Sequence, residues 1–170
     1  MKGFVNIAPE KLENAIKLIG KDWMLLTVRD GENGRVNAMT ASWGALGVLW
    51  NKNVCICFVR PQRHTYTLLE NEKEFSIAFL DEQRRDALAL CGRESGRDND
   101  KLEKCGLSVT DIGGVPCVNE ARLLLVCKKL YEDDLKEDCF LDKELLKNYA
   151  AGDYHRFYVC EIKQAYEREE

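Results

Sequence analysis

A short polar segment that follows the clearest predicted strand carries the strongest chemical signal in this sequence. It runs from Arg60 through Pro-Gln to Arg63, His64 and Thr65, and it leads into a predicted helix. A guanidinium group can donate paired hydrogen bonds to phosphate oxygens, and the free amides at a helix start add positive potential. The same spacing also fits two surface arginines after a strand. On spacing alone, both a phosphate site and an exposed turn stay open.

An apolar stretch from Asn37 to Trp50 has the composition of a pocket wall. Thr40 and Ser42 place small hydrogen-bonding groups in it, and two tryptophans add flat apolar area. We expect Gly44 and Gly47 to interrupt regular structure and to let the backbone approach a neighbour closely. Such a wall suits a flat ligand with polar edges. Taken together with the two arginines, it favours a ligand that carries a phosphate.

The chain has two histidines, His64 and His155. His155 lies at the start of the last predicted strand, beside Tyr154 and Phe157. A lone histidine in such a setting is more often structural than catalytic. A histidine-based metal site would need both histidines and additional carboxylates, which no pattern singles out, so we predict no metal site.

Eight cysteines raise the question of zinc or disulfides. Cys55 and Cys57 are two residues apart and the others are ten or more apart, so no Cys-x-x-Cys pair is present. Structural zinc sites use such close pairs, which argues against a metal cluster. Most of the cysteines lie in apolar runs. They are interpreted as small buried hydrophobic residues of a protein in a reducing compartment.

Composition and charge restrict the class of protein. The chain has 170 residues, of which 45% are apolar and 32% charged, as in an ordinary globular protein. We expect one domain over residues 1–170. The net charge of −4 argues against a nucleic-acid binder, which needs a basic face. No apolar run reaches the roughly 20 residues that span a bilayer, and the first residues lack a signal-peptide core, so we predict a cytoplasmic protein.

The predicted elements are mainly strands. Predicted strands cover Trp23–Arg29, a segment beginning at Arg35 after a hairpin turn at 30–34, Val54–Val59, Phe75–Leu80, Arg122 to about Tyr131, and Tyr154–Ala165. Predicted helices cover Lys11–Ile19 with a stop at Gly20, Thr67–Asn71, a segment from a cap at Asp81 to Cys91, a short segment capped by Asp98 or Asn99 and ending at Gly106, and Lys143–Ala150. Residues Ile112 to Pro116 are expected to form a turn, and Trp50 to lie in the core. Six or so strands with peripheral helices predict a mainly β fold, a small β-barrel with added helices. A parallel α/β fold is the weaker interpretation, because helices do not alternate regularly with the strands.

Five ordered motifs resemble one known family, the flavin reductase-like family, which includes the flavoredoxins. The motifs are Asn37-Ala-Met-Thr-Ala-Ser-Trp-Gly, Val59-Arg-Pro-Gln-Arg-His-Thr-Tyr, Phe75-Ser-Ile-Ala-Phe, Ser95-Gly-Arg-Asp-x-Asp-Lys101 and Gly152-Asp-Tyr-His-Arg-Phe-Tyr. Each motif alone is weak, but their order makes the resemblance specific over about residues 23–162. It implies an FMN-binding split β-barrel that forms a homodimer, with FMN near the subunit interface.

The resemblance also implies roles for particular residues. Asn37, which opens the first motif, is expected to be a cofactor-binding residue. The residues expected along the flavin ring and ribityl chain are Met39, Thr40, Ala41, Ser42 and Trp43. Those expected at the ribityl-phosphate end are Val59, Arg60, Arg63, Thr65 and Tyr66. Lys101 is also expected near the cofactor. His155 matches the family histidine beside the flavin, where the electron donor approaches, so the resemblance reverses the structural interpretation of this residue.

Three flavin-dependent functions stay open, beside a structural β-barrel that binds nothing and would leave the two arginines unexplained. The first is an oxidoreductase that transfers electrons from NADH or NADPH to FMN; the protein contributes position and electronic tuning while the redox chemistry belongs to the cofactor. The second is a flavoredoxin-like electron carrier that exchanges electrons with a redox protein. The third is a flavin-binding module without turnover.

Overall fold

The computed structural model describes residues 3–12, 14–31, 34–97 and 99–169. Its strands are β1 (Phe4–Ile7), β2 (Met24–Asp30), β3 (Arg35–Ala41), β4 (Gly44–Leu49), β5 (Lys52–Val59), β6 (Glu74–Leu80), β7 (Val109–Ile112), β8 (Val115–Val118), β9 (Ala121–Asp134) and β10 (Arg156–Arg168). Its α-helices are α1 (Ala15–Lys17), α2 (His64–Asn71), α3 (Arg85–Arg93) and α4 (Lys101–Lys104). A π-helical turn covers Leu18–Asp22, and 3₁₀ segments cover Pro9–Lys11, Glu82–Arg84, Glu137–Cys139 and Lys143–Tyr149.

One large antiparallel sheet forms the body of the molecule. Its strands follow the order β3-β2-β6-β9-β10-β5-β4, and β1 pairs with the far end of β10. The long strands β9 and β10 cross the sheet and connect its two halves. β7 and β8 form a separate hairpin. The mainly β fold predicted from the sequence is confirmed.

Side chains alternate between two hydrophobic cores. Leu26 and Leu125 belong to an interior core that the curved sheet encloses, whereas their neighbours Leu25 and Leu124 belong to a second core. The second core lies against α3 and the β7–β8 hairpin. Because both faces of β2, β6 and the first half of β9 are largely buried, these segments are rich in apolar residues rather than alternating apolar and polar.

The six predicted strands are all present, and four further short strands were missed. β1, β4, β7 and β8 have four to six residues each. The turn expected at 112–116 is a hairpin whose turn is only Gly113-Gly114, both with positive φ, and Pro116 lies within β8. β4 contains Gly44 and Gly47, so the expectation that these glycines interrupt regular structure is wrong.

The expectation that Trp50 lies in the core is also wrong. Leu49 pairs with Lys52, so Trp50 and Asn51 are the two turn residues of the β4–β5 hairpin. Both have positive φ, of 52° and 55°. A two-residue hairpin turn between strands with a right-handed twist requires such values. The turn directs the Trp50 ring outward, where 56% of the residue is exposed and its ring meets the edge of Tyr131.

The predicted helix over Lys11–Ile19 is corrected to three short pieces. A 3₁₀ turn, α1 and a π-helical turn follow each other, and the last passes through Gly20 to Asp22. Ile16 is 87% exposed, so the predicted apolar stripe is not buried as a unit. The segment ends at Trp23, which has φ 69°. Arg85 covers its indole at 3.4 Å and donates to the carbonyl oxygens of Lys21 and Asp22, so tertiary contacts rather than helix propensity shape the segment.

The remaining helices differ from prediction mainly at their starts. α2 begins one turn earlier than Thr67. Asp81 makes no side-chain cap, and a 3₁₀ turn precedes α3. Asp100 rather than Asn99 caps α4, by accepting from the amide of Glu103 at 3.0 Å, while Asp98 lies outside the described residues. The segment at Lys143–Tyr149 is a 3₁₀ helix. None of the described helices is long and apolar enough to cross a membrane.

Candidate functional site

Three strand ends meet around a cavity of about 270 Å³, which we call the strand-end cavity. β3 ends at Ala41 and β5 at Val59, and pairing of Arg156 with Val59 brings the start of β10 beside them. The cavity is lined by Met39, Thr40, Ala41, Ser42, Trp43, Phe58, Arg60, Arg63 and His155. The structure thus gathers eight of the residues predicted for the site around one space.

Flat apolar rings form one side of the strand-end cavity. The ring of Trp43 lies 4.9 Å from that of His155, and Phe58 meets the same imidazole edge-on at 6.3 Å. Trp43 is 45% exposed although its neighbour Ala41 is buried. Rings held against each other and open on one side can accept another flat ring by stacking.

His155 is buried and electrically neutral near pH 7. Only 8% of the residue is exposed, and its Nδ1 lies 2.9 Å from the hydroxyl of Tyr149. Burial, helped by the nearby Arg60 charge and opposed by Asp153, lowers the pKa of His155 to about 4. An imidazole in this state can donate or accept one hydrogen bond but is a poor proton source.

Arg60 is held at the rim of the strand-end cavity by Asp153. Its guanidinium donates to the Asp153 carboxylate and, over 3.0 Å, to the carbonyl oxygen of Asn148. Gln62 donates to the same carboxylate at 2.8 Å. The hydrogen bonds from Arg60 and Gln62 lower the pKa of Asp153. Arg60 is therefore engaged by an anion of the protein itself.

A second cavity of about 180 Å³ adjoins the first through Arg63, and we call it the helix-start cavity. It is lined by Gln62, Arg63, His64, Thr65, Arg93, Glu94, Ser95, Gly96 and Lys101. α2 begins here, and the first amides of a helix have no partner within it. Three cationic side chains and one acidic side chain, Glu94, border the space, so its lining suits an anion.

Arg63 and Lys101 also bind the end of α3. Arg63 donates to the carbonyl oxygens of Gly92 at 2.6 Å and Cys91 at 3.1 Å. Lys101 donates to the backbone carbonyl oxygens of Glu94 at 3.2 Å and Cys91 at 3.4 Å. Cations stabilise a helix carboxyl end, so these side chains fix the wall opposite the start of α2. Burial lowers the pKa of both groups.

Both cations keep donors for a ligand. A guanidinium has five N–H groups and an ammonium three. Two bonds from each side chain go to backbone carbonyls at the end of α3, and no other described group accepts from them, which leaves three donors on Arg63 and one on Lys101. The helix-start cavity can therefore bind a phosphate group without breaking the contacts that form it.

Asn37 and Thr65 connect β3 to α2 behind this cavity. Asn37 donates from Nδ2 to the Thr65 hydroxyl at 2.8 Å, and both residues are buried. Asn37 Oδ1 has no hydrogen-bond partner among the described residues. Gly96 crosses so closely that a Cβ there would lie 1.9 Å from Asn37 Oδ1. Only glycine lets the 95–97 loop approach this position.

The other predicted site residues have different surroundings. Thr40 donates its hydroxyl to the carbonyl oxygen of Leu88 at 2.6 Å, so it also holds α3 against β3. The side chain of Val59 is fully buried in the interior core. Tyr66 packs against that core under the Arg156 guanidinium at 5.0 Å. Neither Val59 nor Tyr66 lines either cavity.

Sequence reasoning did not single out several residues that line the cavities or support them. Ser95 and Gly96 belong to a motif that was recognised, but only its lysine was selected. Phe58 is an inconspicuous apolar residue of β5. Tyr149 and Asp153 act through contacts with His155 and Arg60, and no local pattern reveals such contacts.

No cluster of three or more metal-ligating side chains occurs within the described ranges. The chemistry of the two cavities is that of stacking, hydrogen bonding and anion binding. Arg63 lines both, so a single ligand with a flat ring system at one end and an anionic group at the other would suit the pair.

Comparison with known proteins agrees with this geometry. The family model described as flavin reductase like domain matches residues 18–170. No curated protein sequence matches the chain significantly.

Solved structures with the same fold were also found. An FMN-binding domain of a flavin reductases-like enzyme from Shewanella baltica is 19% identical, with a TM-score of 0.69 over 97% of this chain and 77% of that one. An FMN-binding protein from Thermus thermophilus, solved with p-hydroxybenzaldehyde, is 22% identical, with a TM-score of 0.70 over 96% and 81%. A flavoredoxin from Methanosarcina acetivorans is 23% identical, with a TM-score of 0.67 over 87% and 69%.

Proposed function

This chain belongs to the family of flavin reductase like domains, and we propose that it binds FMN and transfers electrons to it from NADH or NADPH. The observation that carries the proposal is the pair of joined cavities. One has flat aromatic walls, the other has cationic walls and a helix start, and Arg63 borders both. We further propose that the chain acts as a single FMN-binding domain.

The residues present fit FMN in three respects. A flat ring needs an apolar slot, for which Trp43 and Phe58 are suited. Its polar edge needs neutral hydrogen-bonding groups, which the segment from Met39 to Trp43 offers through its backbone and through Ser42. Its phosphate needs donors and positive charge, for which Arg63 and Lys101 retain four N–H groups between them.

Bound FMN would supply the two-electron redox chemistry, and the chain would supply position and environment. Trp43 and Phe58 would exclude water from one side of the ring. His155, which lacks a positive charge near pH 7, would offer a neutral hydrogen bond beside the place where the donor approaches. Transfer between stacked rings depends on close approach and orientation, so no strong general base is needed.

Anaerobic reduction of the FMN-loaded protein tests this function. Mixing with NADH or NADPH in a stopped-flow instrument should bleach the flavin absorbance, at a rate that saturates with the nicotinamide. His155→Ala should retain FMN but slow the bleaching. A flavoredoxin-like carrier would instead be reduced rapidly by a ferredoxin-type donor and slowly by both nicotinamides. A protein that binds FMN but is reduced by neither would be a binding module, and the oxidoreductase proposal would be wrong.

We also propose that the protein is a homodimer. β4 lies at an edge of the sheet, and its last two residues and the first turn residue after it form an exposed apolar row, in which Val48 is 72%, Leu49 39% and Trp50 56% exposed. An edge strand of this kind is a template for pairing with another chain, and a second copy would cover the apolar row. Trp43 directly precedes β4 at the other end of the strand, so a second copy that pairs along the whole of β4 would also reach it.

A cytoplasmic location is proposed from the cysteines. All eight lie within the described residues as free thiols, and six are buried among apolar side chains. Free thiols in this number suit a reducing compartment.

A further inference from the structure

The hydroxyl of Tyr149 lies 2.9 Å from Nδ1 of His155, and both residues are buried. This contact joins two parts of the chain with different structures. Tyr149 ends the 3₁₀ segment Lys143–Tyr149, and His155 immediately precedes β10. We propose that Tyr149 is a positioning residue that holds His155 as the tautomer protonated on Nε2, with that N–H directed to the strand-end cavity. The inference rests on the proposed function, because it describes the group that His155 would present to bound FMN and its electron donor.

The direction of the hydrogen bond follows from the two groups. Burial raises the pKa of the Tyr149 phenol, so this hydroxyl keeps its proton near pH 7. His155 is neutral under the same conditions. An unprotonated imidazole nitrogen is a better acceptor than a phenol oxygen, so Tyr149 donates and Nδ1 accepts. The single ring proton of His155 must then be on Nε2.

Packing fixes both rings in this arrangement. The Tyr149 ring stacks on Tyr154 with a centroid distance of 4.9 Å and an interplanar angle of 25°, and it meets the imidazole nearly at a right angle. Trp43 and Phe58 pack against the imidazole. A 180° rotation of the imidazole about its Cβ–Cγ bond would put Cδ2 in the place of Nδ1 and break the bond to Tyr149.

The free edge of the imidazole belongs to the strand-end cavity. His155 lines that cavity, and no described group bonds to Nε2. A neutral N–H donor is therefore offered at the cavity wall. With the opposite tautomer, Nε2 would be an acceptor and would repel a carbonyl or ring nitrogen of a bound ligand.

Tyr149→Phe tests the role of the hydroxyl, because it keeps the ring and removes only the donor. Tyr154→Phe is the matched control: this neighbouring tyrosine stacks on Tyr149 but donates to Glu137 at 3.0 Å and makes no bond to His155. Long-range ¹H–¹⁵N NMR on the cofactor-free protein reads the tautomer directly. The chain has only two histidines, so His155→Gln assigns the signals.

We expect the wild-type protein and Tyr154→Phe to show His155 as the pure Nε2–H tautomer. Tyr149→Phe should show a mixture of both tautomers. It should also slow flavin reduction roughly three- to tenfold, as for loss of one hydrogen bond, with FMN affinity changed by less than about twofold. An Nδ1–H tautomer in the wild type, an unchanged tautomer in Tyr149→Phe, or the same loss in Tyr154→Phe would overturn the inference.

The role of Tyr149 and the proposed function can be refuted independently of each other. The NMR measurement needs no flavin, so it decides the role of Tyr149 even if the protein binds no FMN. Conversely, a protein that is reduced normally by NADH but has the wrong tautomer would refute the role of Tyr149 and leave the proposed function standing.

Discussion

His155 connects the chemistry of the site with the stability of the protein. The imidazole is neutral because it is buried, and its pKa of about 4 lies well below the ordinary 6.5. Between these two values the unfolded chain binds a proton that the folded protein does not bind. Stability due to this residue is therefore fully present above about pH 6.5 and is lost as the pH falls toward 4.

We predict that the free energy of unfolding falls by on the order of 3 kcal/mol over this range, since each pKa unit corresponds to about 1.4 kcal/mol. Urea denaturation of the cofactor-free protein at several pH values measures it. His155→Gln keeps His64 and should remove most of the slope between about pH 4.5 and 6.5. An equal slope in wild type and variant would show that His155 is not buried in its neutral form.

At the level of residues, the sequence revealed which types could bind a flavin phosphate but not how they are arranged. Arg60 and Arg63 are both arginines and lie three residues apart. The first is engaged by Asp153, and the second borders the helix-start cavity. Asp153 is distant in sequence from Arg60, and Tyr149 meets His155 only because the chain turns back between the 3₁₀ segment and β10, so contacts of this kind follow from the fold alone.

Among the elements, β4 shows what glycine does in this sheet. Gly44 pairs with Cys57, and a Cβ at this position would lie 2.5 Å from the backbone oxygen of Ile56. At Gly47, in the same strand, a Cβ would meet nothing within 4 Å. The expected close approach is therefore real at Gly44, where the neighbour is the adjacent strand.

Gly44→Ala and Gly47→Ala form a matched pair of variants. We predict that Gly44→Ala destabilises the protein by about 1–3 kcal/mol, because a backbone atom must move to admit the methyl group. Gly47→Ala should change stability by no more than about 0.5 kcal/mol. Thermal or urea denaturation compares the two. Equal effects would mean that β4 does not lie against β5 as described.

The long strands could be predicted because burial on one or both faces leaves a clear apolar pattern. β2, β6 and the first half of β9 are largely buried on both faces and rich in apolar residues, whereas β4 is apolar but mostly exposed, and its two glycines led to the expectation of an interruption. The segment before Trp23 is shaped by Arg85 from a distant helix. Local propensity does not include that contact, so the single helix predicted over Lys11–Ile19 is replaced by short helical pieces.

For the whole molecule, the exposed apolar row at the end of β4 is the feature that favours binding of a second chain. A homodimer would cover Val48, Leu49 and Trp50, which are apolar and adjacent at the edge of the sheet. The position of Trp50 at the tip of a hairpin is understandable if the tip packs against a second copy. The sequence alone led to the opposite expectation, since a tryptophan is usually assigned to the core.

We predict that sedimentation equilibrium gives the mass of two chains, and that Val48→Glu shifts the protein toward the monomer by placing a charge in the apolar row. Leu141→Glu is the control, because Leu141 is 99% exposed and is not part of β4. A wild-type protein with the mass of one chain would contradict the dimer. So would equal dissociation in both variants.

The central claim is that two cavities joined by Arg63 hold one FMN, with its phosphate in the helix-start cavity. Titration of the cofactor-free protein with FMN and with riboflavin tests it most directly, since riboflavin lacks only the phosphate. We predict that FMN binds more tightly than riboflavin, and that Arg63→Ala weakens FMN binding by about 1.5–3 kcal/mol while leaving riboflavin binding nearly unchanged. Arg60→Ala, which removes an arginine that lines only the strand-end cavity, should retain the preference for FMN. Equal affinity for the two flavins in the wild-type protein, or no binding of either, would contradict the account.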